Sequence, residues 1–268
     1  MAHTFQIPFS FEFRTVKAHW TEKETRVVGL SWDYGGGWNL AAEPIGDGRK
    51  TTVGLSLDDV PGDLWNRCSD AVDKWQRDDA YGGSISDVDS EIQRICSDFR
   101  PRFLFMLLQR GAGLRGRSLP ADAWQLRDEF LRVAPEVRTL LAFLNRWGHW
   151  DDDRYAKVRE IVAFQKKIRR ALVSRPSKWL ADEFGGSSDI EFGFERKSTY
   201  PYFSMDTIEC KDAIARTVTV DLLRRERFDV CARTDCSQPF RITSKHSRKY
   251  CSQYCGHLES VRRGRAKR

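Results

Sequence analysis

The stretch CARTDCSQPFRITSKHSRKYCSQYC, residues 231–255, decides how the last part of the chain folds. Its four cysteines fall into two pairs, Cys231-x4-Cys236 and Cys251-x3-Cys255, with fourteen residues between the pairs. Two thiolates on each of two short turns is how a tetrahedral metal site is assembled, and thiolate is the ligand zinc accepts most readily in structural sites. Pro239-Phe240 and Arg241-Ile242 read as a turn entering a strand, and Cys255 falls where a following helix would make its first turn. Phe240 and Tyr250 are the aromatic lids available to so small a core. A segment this short cannot bury enough apolar surface to fold alone, so bound metal is expected to supply the missing stability. The expectation is one structural Zn²⁺ on Cys231, Cys236, Cys251 and Cys255. His246 and His257 could each replace a cysteine, but neither is needed. Four thiolates leave no open position for water, so the site is read as structural and not catalytic.

The charge of the chain points to the same place. Residues 228–268 hold ten Lys/Arg and three acids, a balance of +7, which equals the formal net charge of the whole chain. A neutral body with a cationic end is the asymmetry of an anion-binding tail. Four thiolates on a divalent ion contribute −2, so the metallated tail carries about +5. Arg241, Lys245, Arg248 and Lys249 lie between the cysteine pairs, and Arg262, Arg263 and Arg265 follow the second pair. These seven are the candidate nucleic-acid contacts, with the final RRGRAKR expected to grip phosphates. The residue types do not separate DNA from RNA.

The segment 206–268 also resembles the CGNR zinc finger family. The matching residues are Cys231, Cys236, Phe240, Arg248, Tyr250, Cys251, Ser252, Cys255, Gly256 and the run Arg262 to Arg265. Gly256-His257-Leu258 stands where the family has Gly-Asn-Arg, which removes a basic side chain. The layout is similar as well: a long N-terminal domain, a helix leading into the finger, and the finger last. The resemblance implies zinc at the four cysteines and DNA contact by the basic residues. It also implies kinship with bacterial DNA-binding regulators, some linked to stress.

The rest of the chain reads as an α+β body. Phe5, Ile7, Phe9, Phe11 and Phe13 alternate with less apolar residues, the period of a half-buried strand. Val27–Asp33, Asn39–Pro44 and Thr51–Leu57 are further strands, with Tyr34 to Trp38 as a glycine-rich connection. Three or four antiparallel strands are expected in residues 1–60. Residues 61–185 read as mainly helical. Leu64, Cys68, Val72 and Trp75 mark one helix, and Asp87 to Asp89 would cap a second running through Ile92, Ile95 and Phe99 toward Leu108. A third spans Trp124 to Leu131, Pro135 interrupts, and Val137 to Trp147 continues. Asp151 to Asp153 would open the next, through Val158, Ile161, Phe164 and Ile168. Residues 186–205 look extended, 206–227 form a connecting helix, and 228–268 are the finger with its basic tail.

Other features argue for binding and against catalysis. Gly111-x-Gly113-x-x-Gly116 matches the dinucleotide fingerprint literally, but the apolar run before it reads as part of a helix and Arg115, Arg117 and Pro120 follow with no immediate helix, so it is expected to be a loop between helices. No Ser/His/Asp or Cys/His arrangement stands out among five histidines, and the chain is not expected to be an enzyme. Cys68, Cys96 and Cys210 lie far apart in helix-like stretches and read as small buried residues. The longest apolar run, Phe103 to Leu108, is too short to span a membrane. With seven cysteines and no signal-peptide pattern, a soluble cytoplasmic protein is expected. The function expected is a DNA-binding transcriptional regulator. Its N-terminal body would sense, dimerise, or bind a small molecule or protein. The alternative is a protein-interaction module whose finger is purely structural.

Overall fold

The computed structural model describes residues 9–16, 18–32, 37–46, 51–79, 84–107, 118–120, 123–151, 154–173, 191–194, 201–243 and 248–266. The architecture is α+β, and the chain divides into two compact units. Phe5, Ile7, most of the glycine connection at 33–36 and the Gly111–Gly116 motif lie outside the described residues.

The first unit comprises residues 20–107 and 154–157. Its sheet has the order β4-β3-β2-β5-β7, from β2 (His19–Trp32), β3 (Trp38–Pro44), β4 (Val53–Leu55), β5 (Arg102–Leu107) and β7 (Tyr155–Ala156). Helices α1 (Gly62–Asp79) and α2 (Ile85–Ile95) cover it. Cys68 and Val72 of α1 and Val88 and Ile92 of α2 meet Val27, Leu40, Val53, Leu55, Phe103 and Phe105 in one buried cluster. The helical face expected of Leu64, Cys68, Val72 and Trp75 is the face that packs, and Trp65 stacks on Trp38 at 4.9 Å.

Two expectations fail in this unit. The helix expected to run on toward Leu108 stops at Ile95, and Arg102–Leu107 is a strand, so what precedes the Gly111–Gly116 motif is a strand and not the expected helix. A continuous apolar run has no period to tell strand from helix, and Pro101 disfavours helix at the residue before it. Thr25 then ties the chain to the sheet, its N–H and hydroxyl both donating to the Pro101 carbonyl at 2.8 and 2.9 Å. Nor do Asp87 to Asp89 cap α2, because the N-cap is Ser84. Asp89 instead accepts from the Leu30 N–H at 2.9 Å, beside a register shift of the β2–β3 ladder between Val27 and Gly29. Gly29 has φ +148°, and a Cβ there would lie 2.3 Å from Asp89 Oδ1.

The second unit comprises residues 1–19, 108–153 and 158–268. Its four-stranded sheet has the order β6-β1-β9-β8, from β1 (Phe9–Val16), β6 (Ser118–Pro120), β8 (Glu191–Phe194) and β9 (Pro201–Thr207). β1 pairs in parallel with β9, from Phe9↔Phe203 to Phe13↔Thr207. The first strand therefore does not join the antiparallel set of its sequence neighbours. The helices are α3 (Ala123–Phe130), α4 (Val137–Trp147), α5 (Val158–Val173) and α6 (Cys210–Leu223). The break at Pro135 is where the sequence placed it. α5 begins later than expected, at Val158; Asp151 pairs with Lys211, and Asp152 and Asp153 lie outside the described residues. α6 also begins late, at Cys210, because β9 runs through Thr207.

Phe130 lies at the centre of this core, with Phe143, Trp150 and Phe164 rings 5.4–5.8 Å away. Two buried polar groups cross between helices. Gln165 of α5 donates to the carbonyls of Phe130, the last residue of α3, and of Val133 beyond it. Arg127 of α3 pairs with Asp221 of α6 at 2.6 Å, both side chains nearly inaccessible, with Thr217 and Trp124 completing the network. Cys68, Cys96 and Cys210 are buried and unbridged, the first two with sulfurs 3.5 Å apart. Among the described residues, no helix is long and apolar enough to cross a membrane.

Two stability outcomes follow from this packing. Gly29→Ala is expected to lower stability by roughly 1–3 kcal/mol, through the strained φ and the clash with Asp89, as read by urea denaturation. Asp221→Ala leaves the buried Arg127 guanidinium with only the exposed Asp128 carboxylate, 4.0 Å away, and is expected to cost about 3–5 kcal/mol. A loss below about 1 kcal/mol in either variant would contradict the packing described.

Candidate metal centre and basic face

The four-cysteine module begins directly after α6. β10 (Phe228–Val230) pairs antiparallel with β11 (Pro239–Arg241), and α7 (Gln253–Ala266) starts within the second cysteine pair and carries Cys255 in its first turn. The first pair sits on a turn closed by the Cys236 and Ser237 N–H groups, which donate to the Arg233 carbonyl. Ser237 takes φ +46° to make that turn. The second pair is fixed by a helix start: Ser252 precedes α7, and its hydroxyl accepts from the Cys255 N–H at 3.1 Å, as an N-cap residue does. Cys231 N–H donates to the Gln238 carbonyl and closes the first knuckle, and Ala232 N–H donates to the Lys249 carbonyl and joins it to the second pair. Phe240 and Tyr250 close over the sulfurs, and Gly256 lets Tyr250 lie against the helix, its Cδ2 only 3.3 Å from where a Cβ would be.

All four Sγ atoms lie within 4.8 Å of one another. Cys236–Cys251, Cys251–Cys255 and Cys236–Cys255 are 3.6, 3.4 and 3.8 Å apart. Metal–sulfur bonds of about 2.3 Å in a tetrahedron put sulfurs about 3.8 Å apart, so the arrangement fits one ion. Cys231 and Cys255 are buried, and Cys236 and Cys251 are half-buried. Burial, then hydrogen bonds from neighbouring thiols, push Cys251 up to about 12, and burial likewise raises Cys236. The Ser252 hydroxyl holds Cys255 lower. Three of the sulfurs line one wall of a cleft of about 840 Å³ that also borders Trp124, Arg127 and Phe228.

Two arginines that sequence reasoning did not single out stand beside the sulfurs. Arg233 Nε lies 2.8 Å from Asp235 Oδ1, whereas Arg233 Nη1 and Arg169 Nε are buried without hydrogen-bond partners among the described residues. Burial opposes the charge on Arg233, but Asp235 and then Cys255, Cys236 and Cys231 outweigh it and raise its pKa. Burial lowers the pKa of Arg169, against the pull of Cys236. Guanidinium groups so placed match the −2 charge of a divalent ion in four thiolates. The module is also anchored to the body. Gln238 Nε2 donates to the Leu131 carbonyl at 2.7 Å, Arg169 donates to the same oxygen, and Arg127 lies over the Phe228 ring. Arg233 carries a sequence cue, lying inside the first knuckle, whereas Gln238 and Arg169 carry none, because their partner is a carbonyl a hundred residues away in the case of Gln238.

The seven basic residues expected to meet nucleic acid separate into groups. Arg241 forms a two-pronged pair with Glu226, with Nε–Oε2 at 2.7 Å. Arg248 donates to the Cys251 carbonyl and lies over Phe240. Arg262 donates to the Thr234 hydroxyl at 2.7 Å, and Arg263 to Glu259 at 3.1 Å. Lys249 and Arg265 are exposed and form no ion pair among the described residues. Lys245 and His246 lie outside the described residues, as do Lys267 and Arg268. His257 is exposed on α7, away from the sulfur cluster.

Comparison of the chain with family models, with curated proteins and with solved structures found no match.

The metal centre has a direct check. Titration with Co²⁺, followed by thiolate-to-metal charge-transfer absorption, is expected to saturate at roughly one ion per chain, and Cys251→Ser to abolish it. Raised thiol pKa values favour the protonated thiol, so protons compete with the metal. The affinity is therefore expected to fall as pH is lowered.

Proposed function

We propose that the chain is a nucleic-acid-binding protein of the cytoplasm, most simply a bacterial DNA-binding regulator. Its four-cysteine module would hold a single zinc ion for structure alone. Zinc is favoured over other ions because a closed tetrahedron of thiolates suits it, and the pairs sit on turns of a β-hairpin and a helix start. The observation that carries the reading is the exposed cationic surface of this module. Arg248, Lys249, Arg262, Arg263 and Arg265 are all exposed, against two exposed acids of the module, Asp229 and Asp235, with Glu259 largely covered. The resemblance of residues 206–268 to the CGNR zinc finger family supports the same assignment. The body would then serve as the sensing or partner-binding part, and a binding role fits a site with no open metal position.

Binding of a mixed-sequence duplex DNA, measured by fluorescence anisotropy with the zinc-loaded full chain, tests this reading. Four phosphate contacts imply that affinity drops roughly a hundredfold between about 50 and about 200 mM salt. Cys251→Ser should remove the binding. Absence of any affinity for DNA at low salt, with zinc bound, would sink the proposal.

A further inference from the structure

One side of α7 is anchored and the other is bare. Cys255 is buried against the sulfur cluster, and Glu259, one turn on, collects Arg262 and Arg263. On the opposite side, Tyr254, His257, Val261 and Arg265 follow one another at spacings of three, four and four, which aligns them along one stripe. All four are exposed. Tyr254, at 68%, is the most exposed large hydrophobic side chain among the described residues, and Val261 is 37% exposed. Isolated apolar side chains on a surface need no explanation, but here two share a stripe with an imidazole and an arginine that forms no ion pair among the described residues, and the stripe holds no acid. Gly264 borders it. A Cβ there would meet nothing within 4 Å, so no contact within the chain requires a residue that weakens helices. Its absence of a side chain leaves room for close approach from outside.

We infer that α7 is a recognition helix that lies in the major groove of duplex DNA, with the Tyr254–His257–Val261–Arg265 stripe toward the base edges. This rests on the nucleic-acid reading above and adds the element, the groove and the contact residues to it. A fourteen-residue helix is about 21 Å long, and the B-form major groove, about 12 Å wide, admits one. Val261 and the Tyr254 ring offer apolar contact to thymine methyl groups, and His257 and Arg265 offer donors to the acceptor edge of guanine. Arg262 flanks the stripe, where its remaining N–H groups reach phosphates. The deep, narrow major groove of A-form RNA does not accept a helix, which selects DNA over duplex RNA.

The experiment uses the zinc-loaded full chain and a randomised duplex DNA pool, an RNA duplex of equal length, and polyglutamate. Bound DNA is probed by dimethyl sulfate interference, which reports guanine N7 in the major groove and adenine N3 in the minor groove. Interference at guanine N7 is expected. Tyr254→Ala combined with Val261→Glu changes only exposed positions. It is expected to keep the metal and the melting temperature while weakening DNA binding at least roughly tenfold. Val230→Glu, exposed on the same module but off the helix, should leave affinity unchanged. Interference at adenine N3 alone, equal affinity for duplex RNA, or full affinity in the double variant would overturn the inference while leaving nucleic-acid binding intact. Binding to polyglutamate with none to DNA would overturn both.

Discussion

Four sulfur atoms within 4.8 Å of one another set the terms for everything after residue 227. Left as thiols, they are a crowded polar cluster in which burial and mutual hydrogen bonding hold protons on Cys251 and Cys236. Handed to a divalent cation, they become one compact anion of charge −2, and the buried Nη1 of Arg233 and Nε–H of Arg169 acquire a reason for their positions. The apolar content of the module is little more than Phe240 and Tyr250 over the cysteines. So small a core cannot offset the entropy of ordering the β10–β11 hairpin and α7, and the metal–thiolate bonds are the term large enough to do it.

The module does not hang on a linker. Leu131, just past the end of α3, exposes one of the carbonyls a helix terminus leaves unpaired, and both Gln238 of the module and Arg169 of α5 use it. On α3 itself, Arg127 faces two ways, its guanidinium paired with Asp221 of α6 and lying over Phe228 at the start of β10. α6 enters the module from the same side, so the cysteine site is braced against α3, α5 and α6 together. The hairpin held this way gives α7 a fixed attachment at the cysteine site, which a free basic tail would lack.

Much of this was legible in the amino-acid order, and the rest failed for identifiable reasons. Cysteine pairs are local, so Cys231, Cys236, Cys251 and Cys255 could be assembled from spacing alone. The apolar stripe of α1 and the stop at Pro135 are equally local. Phe103 to Leu108 was not legible, because a fully apolar run fits a buried strand and a buried helix alike. The parallel pairing of β1 with β9 joins Phe9 to Phe203, and no property of either segment names the other. Asp89 and Asp151 look like helix-capping acids in sequence, yet one serves the Leu30 N–H and the other Lys211, partners set by tertiary packing.

Charge is where sequence and structure complement each other most closely. A count of basic residues treats each as equally available, but Arg241 is held in two-pronged geometry by Glu226, whereas Arg263 meets Glu259 through a single contact with its side chain still 67% exposed. An exposed pair of the second kind is worth no more than about 1 kcal/mol, so a phosphate arriving at α7 can recruit that guanidinium at little cost. The bidentate pair closing β11 onto residue 226 gives up more if broken. The same ion pairs that lower the free charge thus sort the arginines by position. Those around β11 brace the hairpin, and those along α7 remain able to exchange an internal carboxylate for an external anion.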